Sequence, residues 1–237
     1  QGGALTLQGN VSSQYISAVL MIAPTLNRGL VLHLVGEVVS RPYIDMTMTM
    51  MRHFGAMVRW DDDHTIVAES GGYTPTSYYI ENDWSAASYW LECVALSARD
   101  DAAVLLPGLH ECSMPGDSAV VQLFEPLGVR CTMTDDGMMV QRSGESVTTH
   151  YEADLVRQPD LVQTLVVTCC LLGVTFRLTG VQSLRIKETD RIRALCAETR
   201  KLGFALQARD DSELSGDGTR RQPDAQPAID TYDDHRM

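Results

Sequence analysis

Pro159-Asp160-Leu161-Val162 opens an apolar stretch through Leu172, and Asp160 stands 74 residues after Ala86, where Ala86-Ala87-Ser88-Tyr89 opens another through Ala98. Tyr89 in turn stands 74 residues after Tyr15, and Ser12-Ser13-Gln14-Tyr15 opens a third stretch through Leu26. A fixed period of this kind marks an internal structural repeat. Each unit carries a second helical stretch: about Pro42 to His53, about Asp117 to Pro126, and about Lys187 to Lys201. These stop at Phe54-Gly55, Leu127-Gly128 and Leu202-Gly203, because glycine adopts the positive φ of a helix stop at little cost. A β-like run follows each glycine, at 56–60, 129–132 and 204–206. Two more, Leu30 to Val35 and Thr175 to Thr179, lie between the paired helices and alternate like half-buried strands.

Each unit therefore reads helix, strand, helix, strand, with a further strand in the polar region beyond. The first helices carry few charges, and a helix apolar all round is buried in a core. The expectation is an α/β (α+β) chain whose units pack around internal helices with sheets outside. Residues 207–231 are rich in Gly, Pro and Asp and read as a turn or hairpin. The segment Glu69 to Glu81 is the best place for a domain crossing, with one partial domain at 1–80 and another at 81–237.

The 237 residues are 44% hydrophobic and 21% charged, as in a globular protein, and carry a net charge of −12. That charge disfavours nucleic acid and anionic membrane as partners, and there is no apolar run of about 18 residues. Cys93, Cys112, Cys131, Cys169, Cys170 and Cys196 form no CxxC pair and read as buried reduced thiols of a cytosolic protein. The histidines show no ligand spacing, so no metal site is expected.

An anionic ligand would need cations gathered locally. Arg185-Ile186-Lys187-Glu188-Thr189-Asp190-Arg191 gathers three cations and two carboxylates, and Lys187 is one of two lysines in the chain. Ser12-Ser13-Gln14, Ser40-Arg41-Pro42-Tyr43 and Asp160 also stand at helix openings. Free N–H groups at helix N-termini favour phosphate and carboxylate. Converging ends would build an anion site without a basic surface. Taken singly, each serine is an ordinary N-cap, Asp160 a cap, Glu188 a first-turn carboxylate, and Lys187 with Arg191 a solvated i,i+4 face.

The motifs Ser12 to Tyr15, Ser40-Arg41-Pro42-Tyr43-Ile44-Asp45, Asp83-Trp84-Ser85-Ala86-Ala87-Ser88-Tyr89, Arg185 to Arg191 and Asp234-His235-Arg236-Met237 occur together in this order. The set resembles the 5-enolpyruvylshikimate-3-phosphate synthase family, with Trp84 as in Bacteroidetes-type sequences. The resemblance runs along the whole chain, although the family's proteins are nearly twice as long. It implies an enolpyruvyl transferase-type fold of repeated βαβαββ units with buried parallel helices. It also implies transfer of enolpyruvyl from phosphoenolpyruvate to the 5-hydroxyl of shikimate 3-phosphate, with phosphate released, by a cytoplasmic and monomeric enzyme without metal or organic cofactor.

By motif position, Ser12, Ser13 and Ser40 are implied to hold the phosphate of shikimate 3-phosphate. Gln14 bridges both substrates and Tyr43 lines the shikimate side. Asp160 is the implied base for the 5-hydroxyl, and Glu188 moves the proton at the methylene carbon. Lys187 binds shikimate hydroxyls. Arg191 and Arg236 grip phosphoenolpyruvate, with His235 alongside as a structural histidine. Ser183 stands where family members often carry Asn or Glu beside the shikimate ring.

The family's N-terminal Lys-Ser-x-x-x-Arg motif, its Gly-Asn-Ala-Gly-Thr loop and its C-terminal lysine are not in this sequence, which matches the middle of the family's pattern. Two rival readings are a UDP-N-acetylglucosamine enolpyruvyl transferase, of the same fold, and a non-catalytic structural fragment. A polypeptide of these 237 residues is expected to bind shikimate 3-phosphate poorly and to turn over negligibly. A coupled phosphate-release assay giving family-level turnover would overturn that expectation.

Overall fold

The computed structural model describes residues 1–110, 113 and 116–237. The described chain forms two compact units, one holding Gln1–Ile80 and the other the residues from Glu81 onward apart from Gly116. Each has its own hydrophobic core.

The N-terminal unit runs β1 (Gly3–Gln8), α1 (Ser13–Ile22), β2 (Leu30–Val35), α2 (Arg41–His53), β3 (Val58–Asp62) and β4 (Thr65–Ala68). Its sheet has the order β1-β2-β4-β3. The strands β1 and β2 are parallel, from Gly3 opposite Leu30 to Gln8 opposite Val35, and the remaining pairs are antiparallel. In β2, Leu30, Leu32 and Leu34 are buried while His33 and Val35 face out, as the alternation predicts. Ile16 and Leu20, four apart on α1, turn into the core beside Ile44, Met48 and Met51 of α2. A hydrogen bond of 2.8 Å between Ser17 Oγ and Thr47 Oγ1 ties the two helices.

The C-terminal unit holds two more repeats. The middle one runs α3 (Trp84–Leu96), β5 (Ala103–Leu106), α4 (Val120–Phe124), β6 (Val129–Thr134) and β7 (Gly137–Arg142), with sheet order β5-β7-β6. The last runs β8 (His150–Asp154), α5 (Val162–Leu172), β9 (Thr175–Thr179), α6 (Arg191–Lys201), β10 (Leu206–Arg209) and β11 (Glu213–Gly216). Its sheet order, β10-β11-β9-β8, reproduces that of the first repeat, with β8 parallel to β9. The expected βαβαββ pattern is thus complete in the first and last repeats. Among the described residues, the middle repeat lacks the leading strand.

The glycine stops are where the sequence places them: Gly55, Gly128 and Gly203 take φ of 84°, 85° and 94°. After α6 the Phe204 N–H bonds back to the Thr199 carbonyl at 2.9 Å, closing the helix end. Other boundaries move. The middle first helix begins at Trp84, two residues before the expected Ala86, because the Asp83 carboxylate accepts from the Ser85 N–H at 2.8 Å. The expected helix from Asp117 to Pro126 is a short α4 flanked by 3-10 turns, with Pro126 in the second of them. The strand expected at 204–206 is displaced to Leu206–Arg209. Residues 207–231 are only partly a hairpin: β10 pairs with β11, and residues 217–237 form an extended strap without helix or strand.

The largest shift is in α6. It starts at Arg191 and not at Lys187, because the Asp190 carboxylate accepts from the Arg193 N–H at 3.0 Å and sets the cap there. Lys187 is extended, at φ −81° and ψ −159°. It therefore shares no helical face with Arg191, contrary to the i,i+4 reading.

The three first helices also differ in burial. α5 is buried nearly all round, from Val162 through Cys170, and each large apolar side chain there contributes about 1.5–3 kcal/mol. α1 and α3 bury only one face: Tyr15, Met21 and Ile22 on one, and Trp90 and Cys93 on the other, are exposed. Burial raises the Cys169, Cys170 and Cys131 thiols, the last two to about 12, which keeps them protonated and unreactive. Cys112 lies outside the described residues. No described helix is long and apolar enough to cross a membrane.

Gln163 in α5 is 3% exposed, and its amide oxygen and nitrogen have no hydrogen-bond partner among the described residues. Burying such a group costs about 1–3 kcal/mol. Gln163→Met keeps the length and removes the amide, so the urea midpoint should rise by a comparable amount of stability. An unchanged or lower midpoint would show that the amide is satisfied in solution.

Candidate active site

Parallel strands send the loops that follow them out of the same end of the sheet. In the N-terminal unit, the loop after β1 leads to Ser12 and α1, and the loop after β2 leads to Ser40 and α2. The Val39 N–H joins them through the Gly9 carbonyl at 3.2 Å. Ser12 caps α1, its hydroxyl facing the Gln14 N–H at 3.4 Å. Ser13 is half-buried and Gln14 exposed. Ser40 does not cap α2 with its side chain. It is buried at 5% exposure and held at φ 54°, a backbone state rarely taken by residues other than glycine. Tyr43 is half-buried in the first turn of α2. Arg41 lies over the Trp60 ring at 4.1 Å, which holds this cation on the body of the unit.

The C-terminal unit repeats this plan with charge. The loop after β8 carries Asp160 in a 3-10 turn, Pro159–Leu161. The loop after β9 carries Ser183, Lys187, Glu188 and then Arg191 at the first residue of α6. The Leu155 N–H bonds to the Thr179 carbonyl at 2.9 Å and joins the two loop roots. The Arg191 side chain is 1% exposed. Its Nη1 donates to Asp160 Oδ1 at 2.9 Å and its Nη2 to Glu188 Oε2 at 2.7 Å. Its Nε and Nη2 bond both oxygens of Asp234 at 2.8 and 2.9 Å, the fork geometry that guanidinium and carboxylate share.

Asp160 meets two further cations, Lys187 Nζ at 3.3 Å and Arg236 Nε at 3.6 Å. Burial pushes the Asp160 carboxyl up, but Lys187, Arg236 and Arg191 outweigh it and hold it below the usual carboxylate range. Asp234 is likewise lowered, since burial is outweighed by the Arg191 bonds and the Arg236 N–H. Three cations and three carboxylates thus form one network: Lys187, Arg191 and Arg236 with Asp160, Glu188 and Asp234. Glu188 is its open edge, with its side chain 43% exposed.

The other predicted residues stand apart from the network. Ser183 is buried in its 3-10 turn and makes no hydrogen bond to these six among the described residues. The His235 side chain is 65% exposed, 3.9 Å from Asp234 Oδ1. Arg185 and Asp190 pair with each other at 3.0 Å and support the loop, with Arg185 also reaching Asp211 at 2.7 Å. The dense stretch Arg185 to Arg191 therefore divides into supporting and network residues.

Sequence reasoning did not single out Asp234, Tyr89 or Glu92. Asp234 had a signal, its place in the Asp234 to Met237 motif. Tyr89 in α3 donates to the Arg236 carbonyl at 3.2 Å. Glu92, three residues on along the same helix, is raised from 4.5 to about 7 by burial. Nothing in the one-dimensional pattern distinguishes Glu92 from a solvated helix carboxylate.

The sequence profile of the EPSP synthase (3-phosphoshikimate 1-carboxyvinyltransferase) family matches residues 1–237. A 3-phosphoshikimate 1-carboxyvinyltransferase of Bacteroides fragilis (strain YCH46) is 50% identical over 236 residues, covering 100% of this chain and 57% of the relative. The enzyme of the same name from Cellvibrio japonicus (strain Ueda107) is 36% identical over 239 residues, covering 99% of this chain and 54% of its own. The chain thus spans little more than half the length of these relatives. A crystal structure of an EPSP synthase from Acinetobacter baumannii superposes with a TM-score of 0.70 at 18% identity, over 100% of this chain and 54% of that one. The structural likeness shows the fold.

The Glu92 carboxyl gives the C-terminal unit a pH signature. Between about 4.5 and 7 the folded chain holds a proton that the unfolded chain has released. Its contribution to stability is complete below the lower value and is lost as pH rises through the higher one. Glu92→Gln should therefore raise the urea midpoint above wild type at pH 8 and converge with it below about pH 4.5, whereas parallel pH profiles would contradict a half-buried, protonated Glu92.

Proposed function

We propose, because the chain belongs to the EPSP synthase family, that its two units carry part of the machinery for transfer of a carboxyvinyl group. The donor is phosphoenolpyruvate and the acceptor the 5-hydroxyl of shikimate 3-phosphate. Residues 1–80 supply groups for the shikimate 3-phosphate side and residues 81–237 groups for the phosphoenolpyruvate side. The observation that carries this reading is the six-residue ionic network around Arg191.

The network gives the proposed roles a physical order. Lys187, Arg191 and Arg236 hold Asp160 ionised and weakly basic. A carboxylate and phosphate that engage Arg191 and Arg236 draw these cations away from Asp160. Its affinity for a proton then rises, so the base is strengthened when substrate is present. The shikimate 5-hydroxyl oxygen bonds to the central carbon of phosphoenolpyruvate while its proton passes to Asp160. Glu188, in its carboxylic acid form, delivers its proton to the methylene carbon. In the elimination that follows, Glu188 takes a proton back from the methyl carbon, the bond between the central carbon and the phosphate oxygen breaks, and the proton held by Asp160 leaves with inorganic phosphate. Lys187 binds shikimate hydroxyls, and the cations stabilise charge as it develops.

In the N-terminal unit, Ser12, Ser13 and Ser40 take the phosphate of shikimate 3-phosphate, Gln14 reaches both substrates and Tyr43 lines the ring side. Ser183 lies beside the ring and His235 beside the donor. No organic cofactor enters the scheme. The full-length enzyme is proposed to act as a cytoplasmic monomer.

Thermal unfolding with each acceptor tests the substrate assignment. Shikimate 3-phosphate with phosphoenolpyruvate, at about ten times its dissociation constant, should add about 1.4 kcal/mol of stability. UDP-N-acetylglucosamine should add none. A midpoint raised by the nucleotide sugar and not by shikimate 3-phosphate would reject the proposal.

A further inference from the structure

The strap that delivers Asp234 and Arg236 has no helix or strand to hold it, yet it is bonded to α6 at successive points in reverse order. The Arg221 N–H bonds to the Gly203 carbonyl at 2.7 Å and the Asp224 N–H to the Lys201 carbonyl at 2.9 Å. Lys201 Nζ then donates to the Ala228 carbonyl at 2.9 Å. Glu198 takes the next two contacts, from the Asp230 N–H at 2.9 Å and the Tyr232 hydroxyl at 2.7 Å. The last contact is Asp234 on Arg191. The strap therefore runs back along the helix from its C-terminal end to its N-terminal end.

Glu198 is 5% exposed, and both its oxygens also accept from Lys201 Nζ, at 2.9 and 2.7 Å. A lone i,i+3 ion pair on a helix surface needs no burial and no further partners. The two strap contacts give this carboxylate a second task. At the second of these contacts and just after it, Tyr232 and Asp233 both stand at φ 54°, a conformation that L-residues adopt rarely and that the flanking bonds must hold. A slip of one residue in an extended segment moves the side chains that follow by about 3.3 Å. That would break the bonds of 2.8 and 2.9 Å between Arg191 and Asp234.

Resting on the functional reading above, we propose that Glu198 and Tyr232 are positioning residues for the phosphoenolpyruvate side. They fix the register of the strap on α6, so that Asp234 meets Arg191 and Arg236 meets Asp160. Neither touches the network itself. Glu198 lies seven residues along α6 from Arg191, about 10 Å at the helical rise.

Tyr232→Phe in the full chain removes one hydroxyl and tests this directly. The reporters are the solvent exchange rates of the Arg191 Nε–H and the Arg236 backbone N–H, both read by NMR and both bonded to Asp234. Each should exchange at least tenfold faster in Tyr232→Phe. Tyr151→Phe, which removes a hydroxyl donating to the Leu123 carbonyl in the same unit, should leave both unchanged. Glu198→Gln should act like Tyr232→Phe, and should it fail to fold the tyrosine variant still decides. Unchanged reporters in Tyr232→Phe, or equal acceleration in Tyr151→Phe, would overturn the proposal.

A phosphoenolpyruvate titration followed by phosphorus NMR separates this proposal from the functional reading. Binding about tenfold weaker in Tyr232→Phe than in wild type is expected, and equal affinity despite faster exchange would reject the positioning role. A wild-type chain that shows no phosphoenolpyruvate binding counts against the functional reading, while the exchange rates still judge whether Glu198 and Tyr232 set the register of the strap.

Discussion

The buried guanidinium of Arg191 is the constraint on which the C-terminal unit is built. A cation at 1% exposure is costly unless its N–H groups are paired, and replacing one partner of such a pair can cost about 3–5 kcal/mol. Here the partners come from three separate stretches of chain: Asp160 after β8, Glu188 after β9, and Asp234 on the strap. One side chain thereby ties two loops at the end of the sheet to a strap that no sheet or helix holds. The same bonds keep Asp160 ionised, so the packing of the unit and the reactivity of its proposed base have one cause.

The repeat explains why the candidate residues fall where they do. Only the first and last repeats have a parallel strand pair among the described residues. Those pairs place two loops at one end of a sheet, and every candidate residue before the strap lies in or just after such a loop. The middle repeat has no such pair among the described residues. Its motif, Asp83 to Tyr89, works mainly on structure: Asp83 caps α3, Trp84 Nε1 donates to Glu81, and Ser85 donates to Asp117. Tyr89 at its end is the link to the Arg236 carbonyl.

Much of this fold is legible in the sequence because its signals are local. Gly55, Gly128 and Gly203 end helices by their own conformational freedom, and the alternation in Leu30 to Val35 needs only a pleat. Lys187 shows where local reading stops. Both it and Arg191 suit a helix, yet the Asp190 cap wins and leaves Lys187 extended, and the two meet only through Asp160. The partnership of Arg191 with Asp234 spans 43 residues and that of Glu198 with Tyr232 spans 34. Neither leaves a periodic trace.

The reverse path of the strap along α6 also sets an order of assembly. During synthesis, Arg191 leaves the ribosome 43 residues before Asp234, a delay of about 2–9 s at ordinary elongation rates. Through that interval the nascent unit holds a cation whose fork partner does not yet exist. Its loops after β8 and β9 can close on Arg191 through Asp160 and Glu188, but the strap docks last. Asp234 then locks loops that were made before it, so closure of the network must wait for the strap even though α6 is already complete.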